Sequence, residues 1–151
     1  MTSVLFVCLG NICRSPLAEG VFRQTVEQTG QSDRVLIDSA GTGNWHRGNP
    51  PDPRSVSVAA ANGIDISGLK ARQVEKNDFD RFDLILAMDR DNLAFLRRMG
   101  AAEQTSRIRL FLQGPERDVP DPYYGGKDGF QNVYELVKRG CLDLLDDLKL
   151  A

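Results

Sequence analysis

Val4 to Leu9, "VLFVCL", is a continuous apolar run that stops abruptly at Gly10-Asn11. A strand that alternates apolar and polar residues has one wet face, whereas an unbroken run predicts a strand buried on both faces. Such a strand belongs inside a sheet covered on each side. The next stretch has a helical pattern. Pro16 suits the first turn of a helix with Ser15 before it as N-cap, and Leu17, Ala18, Val21, Phe22 and Val26 recur at helical spacing up to Gly30.

The same alternation continues down the chain. Val35 to Ile37 reads as a second strand, closed by Asp38-Ser39-Ala40-Gly41. Residues 41–53, "GTGNWHRGNPPDP", read as loop, and a helix is predicted over Ser55 to Asn62. Phe82 to Met88 predicts a third strand, Asp89 to Met99 a helix ended by Gly100, and Ile108 to Leu112 a fourth strand. A Pro- and Gly-rich stretch at 113–129 is long for a connection, and loops of that length are commonly functional. The last helix is predicted over Phe130 to Leu150, with Cys141 on its apolar face. Strands alternating with helices give an α/β fold: one domain over residues 1–151, in three layers, with a parallel sheet between helices on both faces.

Composition removes several classes of function. A net charge of −2 leaves no overall basic footprint for nucleic acid. No apolar run approaches the ~18 residues of a membrane span, and the N-terminal run has no basic region before it, unlike a signal peptide. Three cysteines without a secretion signal predict reduced thiols and a cytoplasmic location.

In an open parallel sheet, ligands bind beyond the carboxyl ends of the strands. Cys8 ends the first strand, and the loop after it opens a helix whose N-terminal N–H groups favour anions. Leu9, Gly10, Asn11, Ile12 and Cys13 can curl into a ring of backbone donors if a residue there takes a positive φ. Gly10 does so without strain, and Asn11 tolerates it better than most residues. Arg14 adds a planar fork matched to two phosphate oxygens. These positive surroundings favour the Cys8 thiolate, which beneath a bound phosphate is a nucleophile aimed at phosphorus, and Ser15 can hydrogen-bond the sulfur. Rival readings are poorer. A zinc site would need Cys141 and the only histidine, His46, neither at ligand spacing. No Gly-Lys-Ser/Thr comes after it to make a Walker loop. Two inert cysteines would leave Gly-Asn and Arg-Ser unexplained.

With "CLGNICRSP" at the end of the first strand, the chain resembles the low-molecular-weight protein tyrosine phosphatases. Further stretches match in order: "DSAGTGNW" (38–45), "GNPPDPRSV" (48–56), "KARQV" (70–74), "FDLILAMDRDN" (82–92) and "DPYYG" (121–125). The resemblance implies a four-stranded parallel sheet, no metal and no cofactor, and tyrosine-phosphorylated proteins as partners. It implies Cys8 as nucleophile, Arg14 as phosphate clamp and Asp121 as general acid. An Asp-Pro pair is also a common turn, which is the plain alternative for Asp121. Trp45, Tyr123 and Tyr124 would wall a cleft deep enough to prefer phosphotyrosine over phosphoserine; Trp45 could instead pack its own loop, and His46 reads as an exposed loop residue. Asp89 could orient Arg14, cap a helix, or do both, and Ser39 resembles the serine that holds the strained asparagine. One departure is Leu69, where many members carry a histidine that buttresses that asparagine. The loop would then be held by Ser15 and Ser39 alone.

Two other functions compete. An arsenate reductase on this fold needs a relay of extra cysteines, and none lies between Cys13 and Cys141. A non-catalytic phospho-binding domain would not need an acid and aromatics in a second loop. Finally, Cys13 is expected either to trap an oxidised Cys8 as a disulfide or merely to fill a small buried space.

Overall fold

The computed structural model describes residues 1–113, 118–123 and 127–148. Four strands, β1 (Thr2–Cys8), β2 (Val35–Gly41), β3 (Leu84–Ala87) and β4 (Ile108–Leu110), form a parallel sheet in the order β2-β1-β3-β4. The helices are α1 (Arg14–Gln28), α2 (Pro53–Ala60), α3 (Asp78–Arg81), α4 (Arg90–Met99) and α5 (Lys127–Asp147). The α/β three-layer expectation and the four-stranded parallel sheet both hold.

Successive side chains of a strand point to opposite faces, and β1 divides its apolar run accordingly. Val4, Phe6 and Cys8 join a core cluster with Leu17, Val21 and Phe22 of α1 and Val137 and Cys141 of α5. Leu5 and Val7 go to the other face, with Phe79 of α3, Leu96 of α4 and Ile85 of β3. Hence Cys8 projects toward the layer that holds α1. Beyond β1 the chain turns one way to β2 and the other way to β3, so the crevice of this sheet opens at the end of β1.

Several element ends differ from the sequence reading. Helix α1 starts at Arg14, which leaves Cys13 at the N-cap position without a side-chain cap. Ser15 is therefore not the N-cap: it lies inside the first turn, and Pro16 is tolerated there because the first N–H groups of a helix have no carbonyl partner in any case. Helix α2 starts at Pro53 with Asp52 as cap, its side chain accepting from the Arg54 N–H. Helix α5 begins three residues before Phe130, and α3 has no counterpart in the sequence reading. No helix among the described residues is long and apolar enough to cross a membrane.

Candidate active site

The loop from Cys8 to Arg14 is fixed from beneath. Asn11 has φ +57°, the only non-glycine with positive φ among the described residues. The turn therefore belongs to Asn11 and not to Gly10, the residue that would adopt it with least strain. Gly10 leaves room for the His46 ring: a Cβ there would stand 3.0 Å from it, so the ring would have to give way. The left-handed backbone of Asn11 is offset by its side chain, whose Nδ2 donates to Ser15 Oγ (2.8 Å) and Ser39 Oγ (3.0 Å). Its Oδ1 accepts from the Arg72 backbone N–H at 3.0 Å. Ser39 in turn donates to the buried carboxylate of Glu19 at 2.7 Å, and Arg23 pairs with that carboxylate at 2.8 Å.

The predicted dependence on Ser15 and Ser39 alone is thus corrected, because a backbone donor from the 70–74 stretch shares the load. That stretch is itself stitched to the end of β2, where Gly41 donates to the Arg72 carbonyl (2.8 Å) and Val74 donates back to Gly41 (2.8 Å). The Arg72 guanidinium spans Asp38 and the fully buried Asp78. Leu69 packs against the core cluster of the α1–α5 layer. Gly41 also has a steric role, since a Cβ there would come within 2.8 Å of the Leu9 carbonyl oxygen.

Above this support sits the sulfur. Cys8 Sγ receives the Asn11 N–H at 3.3 Å and lies 2.9 Å from Ser15 Oγ. Arg14 is almost fully buried: its Nη1 donates to Asp89 Oδ2 (2.6 Å) and to the Val119 carbonyl (3.0 Å). Asp89 also accepts the Asn92 N–H as the N-cap of α4, so both readings of Asp89 are realised at once. Burial works against the charge on Arg14. The neighbouring Cys8, then the bond and charge of Asp89, outweigh it and hold the guanidinium above its ordinary value.

Asp121 faces the same guanidinium from the far loop, with Oδ2 3.7 Å from Nη2, and its Oδ1 accepts the Tyr123 N–H. These groups bound a pocket of about 350 Å³. Its floor is Cys8, Leu9, Gly10, Ile12, Cys13 and Arg14, and its walls are Trp45, His46, Asp121 and Tyr123. Asn11 and Ser15 stand behind the floor and act through it. Trp45, largely exposed, lines the pocket while its ring lies directly against Gly43. His46 departs from the exposed-loop reading: it is half-buried, 6.4 Å from the Tyr123 ring between centroids. Tyr124 lies outside the described residues.

Cys13 is buried, and its thiol is pushed up to about 12, first by desolvation and then by the charges of Asp52, Cys8 and Asp121. Cys141 is sealed in the core under α5, where burial raises it well above the usual thiol value. Sequence reasoning missed Glu19, Arg23, Arg72 and His46. Two signals were readable: Arg72 lies in the matching "KARQV" stretch, and Glu19 and Arg23 have i, i+4 spacing on a helix.

Residues 3–151 match the family model described as low molecular weight phosphotyrosine protein phosphatase. The chain is 46% identical to the low molecular weight protein-tyrosine-phosphatase YfkJ of Bacillus subtilis, over 99% of this chain and 97% of that one. The crystal structure of YfkJ superposes with a TM-score of 0.93 at 45% identity, covering 99% of this chain and 95% of that one. That of a protein tyrosine phosphatase from Entamoeba histolytica, with Hepes in the active site, gives 0.94 at 35% identity, covering 99% and 97%. The chain belongs to the low molecular weight phosphotyrosine protein phosphatase family.

Proposed function

We propose that the chain, as one catalytic domain over residues 1–151, hydrolyses phosphotyrosine in proteins through a phosphate ester of Cys8. The observation that carries this reading is the pairing of two opposed groups across one pocket. Cys8 lies on the floor with an N–H and a hydroxyl on its sulfur, and Asp121 stands on the wall within 3.7 Å of Arg14. A phosphoryl group held by the loop amides and Arg14 places phosphorus over the sulfur. The thiolate attacks, and the S–P bond forms as the P–O bond to the ring breaks. The leaving phenolate, whose conjugate acid has a pKa of ~10, takes its proton from Asp121. The Asp121 carboxylate then accepts a proton from water as that water attacks the thiophosphate, which releases inorganic phosphate and restores Cys8.

Substrate choice is set by the walls. Trp45, His46 and Tyr123 offer ring faces and edges to a flat phenyl group, and phosphoserine is too short to bring its phosphorus down to the floor from a peptide held at the rim. The alternative of an arsenate reductase is disfavoured by Cys141, which is fully buried in the core and cannot pass a disulfide outward. Three free thiols suit a reducing, cytoplasmic setting. Cys13 is the candidate partner for oxidised Cys8: peroxide converts the thiolate to a sulfenic acid, and the Cys13 thiolate displaces hydroxide from it to form the disulfide.

Turnover of p-nitrophenyl phosphate in the presence of a chelator is the direct test. Metal-independent hydrolysis that Cys8→Ser abolishes supports the reading. Tight phosphate binding with no hydrolysis by the wild type would make the domain a phosphate binder instead.

A further inference from the structure

Arg54 has no part in the pocket lining, yet it touches both loops that make the pocket. The start of α2 is bolted to the phosphate loop, because the Asp52 N–H donates to the Ile12 carbonyl (2.8 Å) and Ser55 Oγ donates to the Cys13 carbonyl (2.9 Å). From that anchor Arg54 folds back on Asp52 as a two-pronged fork, Nε to Oδ1 at 3.0 Å and Nη2 to Oδ2 at 2.9 Å. The fork fixes the plane of the guanidinium. Its carbon lies over the Phe130 ring at 4.6 Å from the centroid and over the Tyr123 ring at 5.5 Å. Tyr123 and Phe130 share a small apolar cluster with Ile12 and Cys13 of the phosphate loop and with Ala71.

Tyr123 is two residues past Asp121, and its N–H is the donor that holds Asp121 Oδ1 at 3.1 Å. An ion pair whose arginine side chain is 45% exposed contributes little to stability, so stability alone does not account for the arrangement. Position does. The guanidinium, tied through Asp52 to the Ile12 carbonyl, lies over the ring of the residue whose N–H holds Asp121.

We propose that Arg54 is a positioning residue: it fixes the Tyr123 ring, and through it the Asp121 carboxyl, at a set distance from the phosphate loop. This rests on the reading of Asp121 as general acid. An acid displaced by about 1 Å loses much of its effect while phosphate binding, which needs only the loop and Arg14, is untouched.

The test is a double-mutant cycle read on two esters. Arg54→Ala should lower kcat/KM about tenfold on phenyl phosphate, a part of the ~100- to 10,000-fold worth of a positioned acid, and clearly less on p-nitrophenyl phosphate. Competitive inhibition by inorganic phosphate should stay at the wild-type level. Arg54→Lys, which keeps charge but not the plane, should fall between the two, and it serves should the alanine variant fold poorly. In the Asp121→Asn background, Arg54→Ala should cost nothing more. If Arg54→Ala lowers kcat/KM equally on both esters, or adds its full loss on top of Asp121→Asn, the positioning role is wrong while the acid stands. If Asp121→Asn itself lowers kcat/KM equally on both esters, the acid reading fails and takes this proposal with it.

Discussion

The two loops that meet at the pocket are built on opposite plans. In the phosphate loop, Asn11, Cys13, Arg14 and Ser15 are all buried, and the one strained residue, Asn11, makes three side-chain hydrogen bonds. The acid loop is tethered at separate points. Asp118 pairs with the exposed Arg90, the Val119 N–H donates to the Met88 carbonyl, and Arg54 lies over Tyr123. Asp121 itself is 43% exposed. A site that must present a ring of donors to three phosphate oxygens gains from being over-determined. On the mechanism proposed above, Asp121 first gives a proton and later takes one, so it meets different leaving and attacking atoms, and a tethered loop suits it.

The largest effect should come from the floor. Cys8→Ser should abolish turnover while inorganic phosphate or vanadate still binds, because the hydroxyl is a poor nucleophile at neutral pH but the donor ring remains. Binding lost together with turnover would mean the sulfur shapes the loop rather than performs the attack. Arg14→Lys should cost about 1,000-fold despite keeping the charge, since a point charge cannot hold both Asp89 and two phosphate oxygens in one plane. Near-normal kcat there would make Arg14 a structural residue.

On the acid side, Asp121→Asn should lose about 100-fold in kcat/KM on phenyl phosphate and distinctly less on the p-nitrophenyl ester, whose phenolate leaves unaided more readily. The contrast between the esters is the signature of the wall. A floor variant such as Arg14→Lys should slow both esters nearly alike.

A smaller effect sharpens the idea of over-determination. Asn11→Gly relieves the positive φ but gives up three buried bonds, each worth ~1 kcal/mol against a strain of similar size. Thermal unfolding should therefore show a loss of about 2 kcal/mol, with kcat down about tenfold. Unchanged stability would mean that the Asn11 bonds to Ser15, Ser39 and Arg72 together contribute no more than the strain they hold, about 1 kcal/mol.

The smallest is a matter of rate. Closure of a Cys8–Cys13 disulfide after peroxide requires the Cys13 thiolate, and that thiol sits at about 12. The thiolate fraction then grows about tenfold per pH unit through the neutral range, so closure should quicken by the same factor up to about pH 9. Peptide mass spectrometry of timed samples would track it, and a pH-independent rate would remove Cys13 as the attacking group.

The phosphate loop was the most legible part of the chain, because its strand, turn, arginine and helix are contiguous between Val4 and Val26. Even there, spacing could not say that Asn11 rather than Gly10 takes the positive φ, since both residues tolerate it. Ser15 looks like a cap because it precedes a proline; its hydroxyl serves Cys8 and Asn11 instead. The supports are harder to read. Glu19, Arg72 and Arg54 act through partners on other elements, and a charged residue that ends up buried looks in sequence like one that stays wet. His46 is hidden for the same reason: the ring that narrows the pocket over Gly10 sits in a stretch of pure loop signals.

Phosphate transfer through the Cys8 sulfur, with Asp121 helping to release it, is the central claim. Asp121→Asn mixed with p-nitrophenyl phosphate and quenched in acid within one turnover isolates that step, because the first transfer proceeds while the second is slowed. The expected result is a burst of p-nitrophenol and one phosphoryl group on the peptide that contains Cys8. Absence of a burst, or a phosphoryl group found on any other residue, would contradict it.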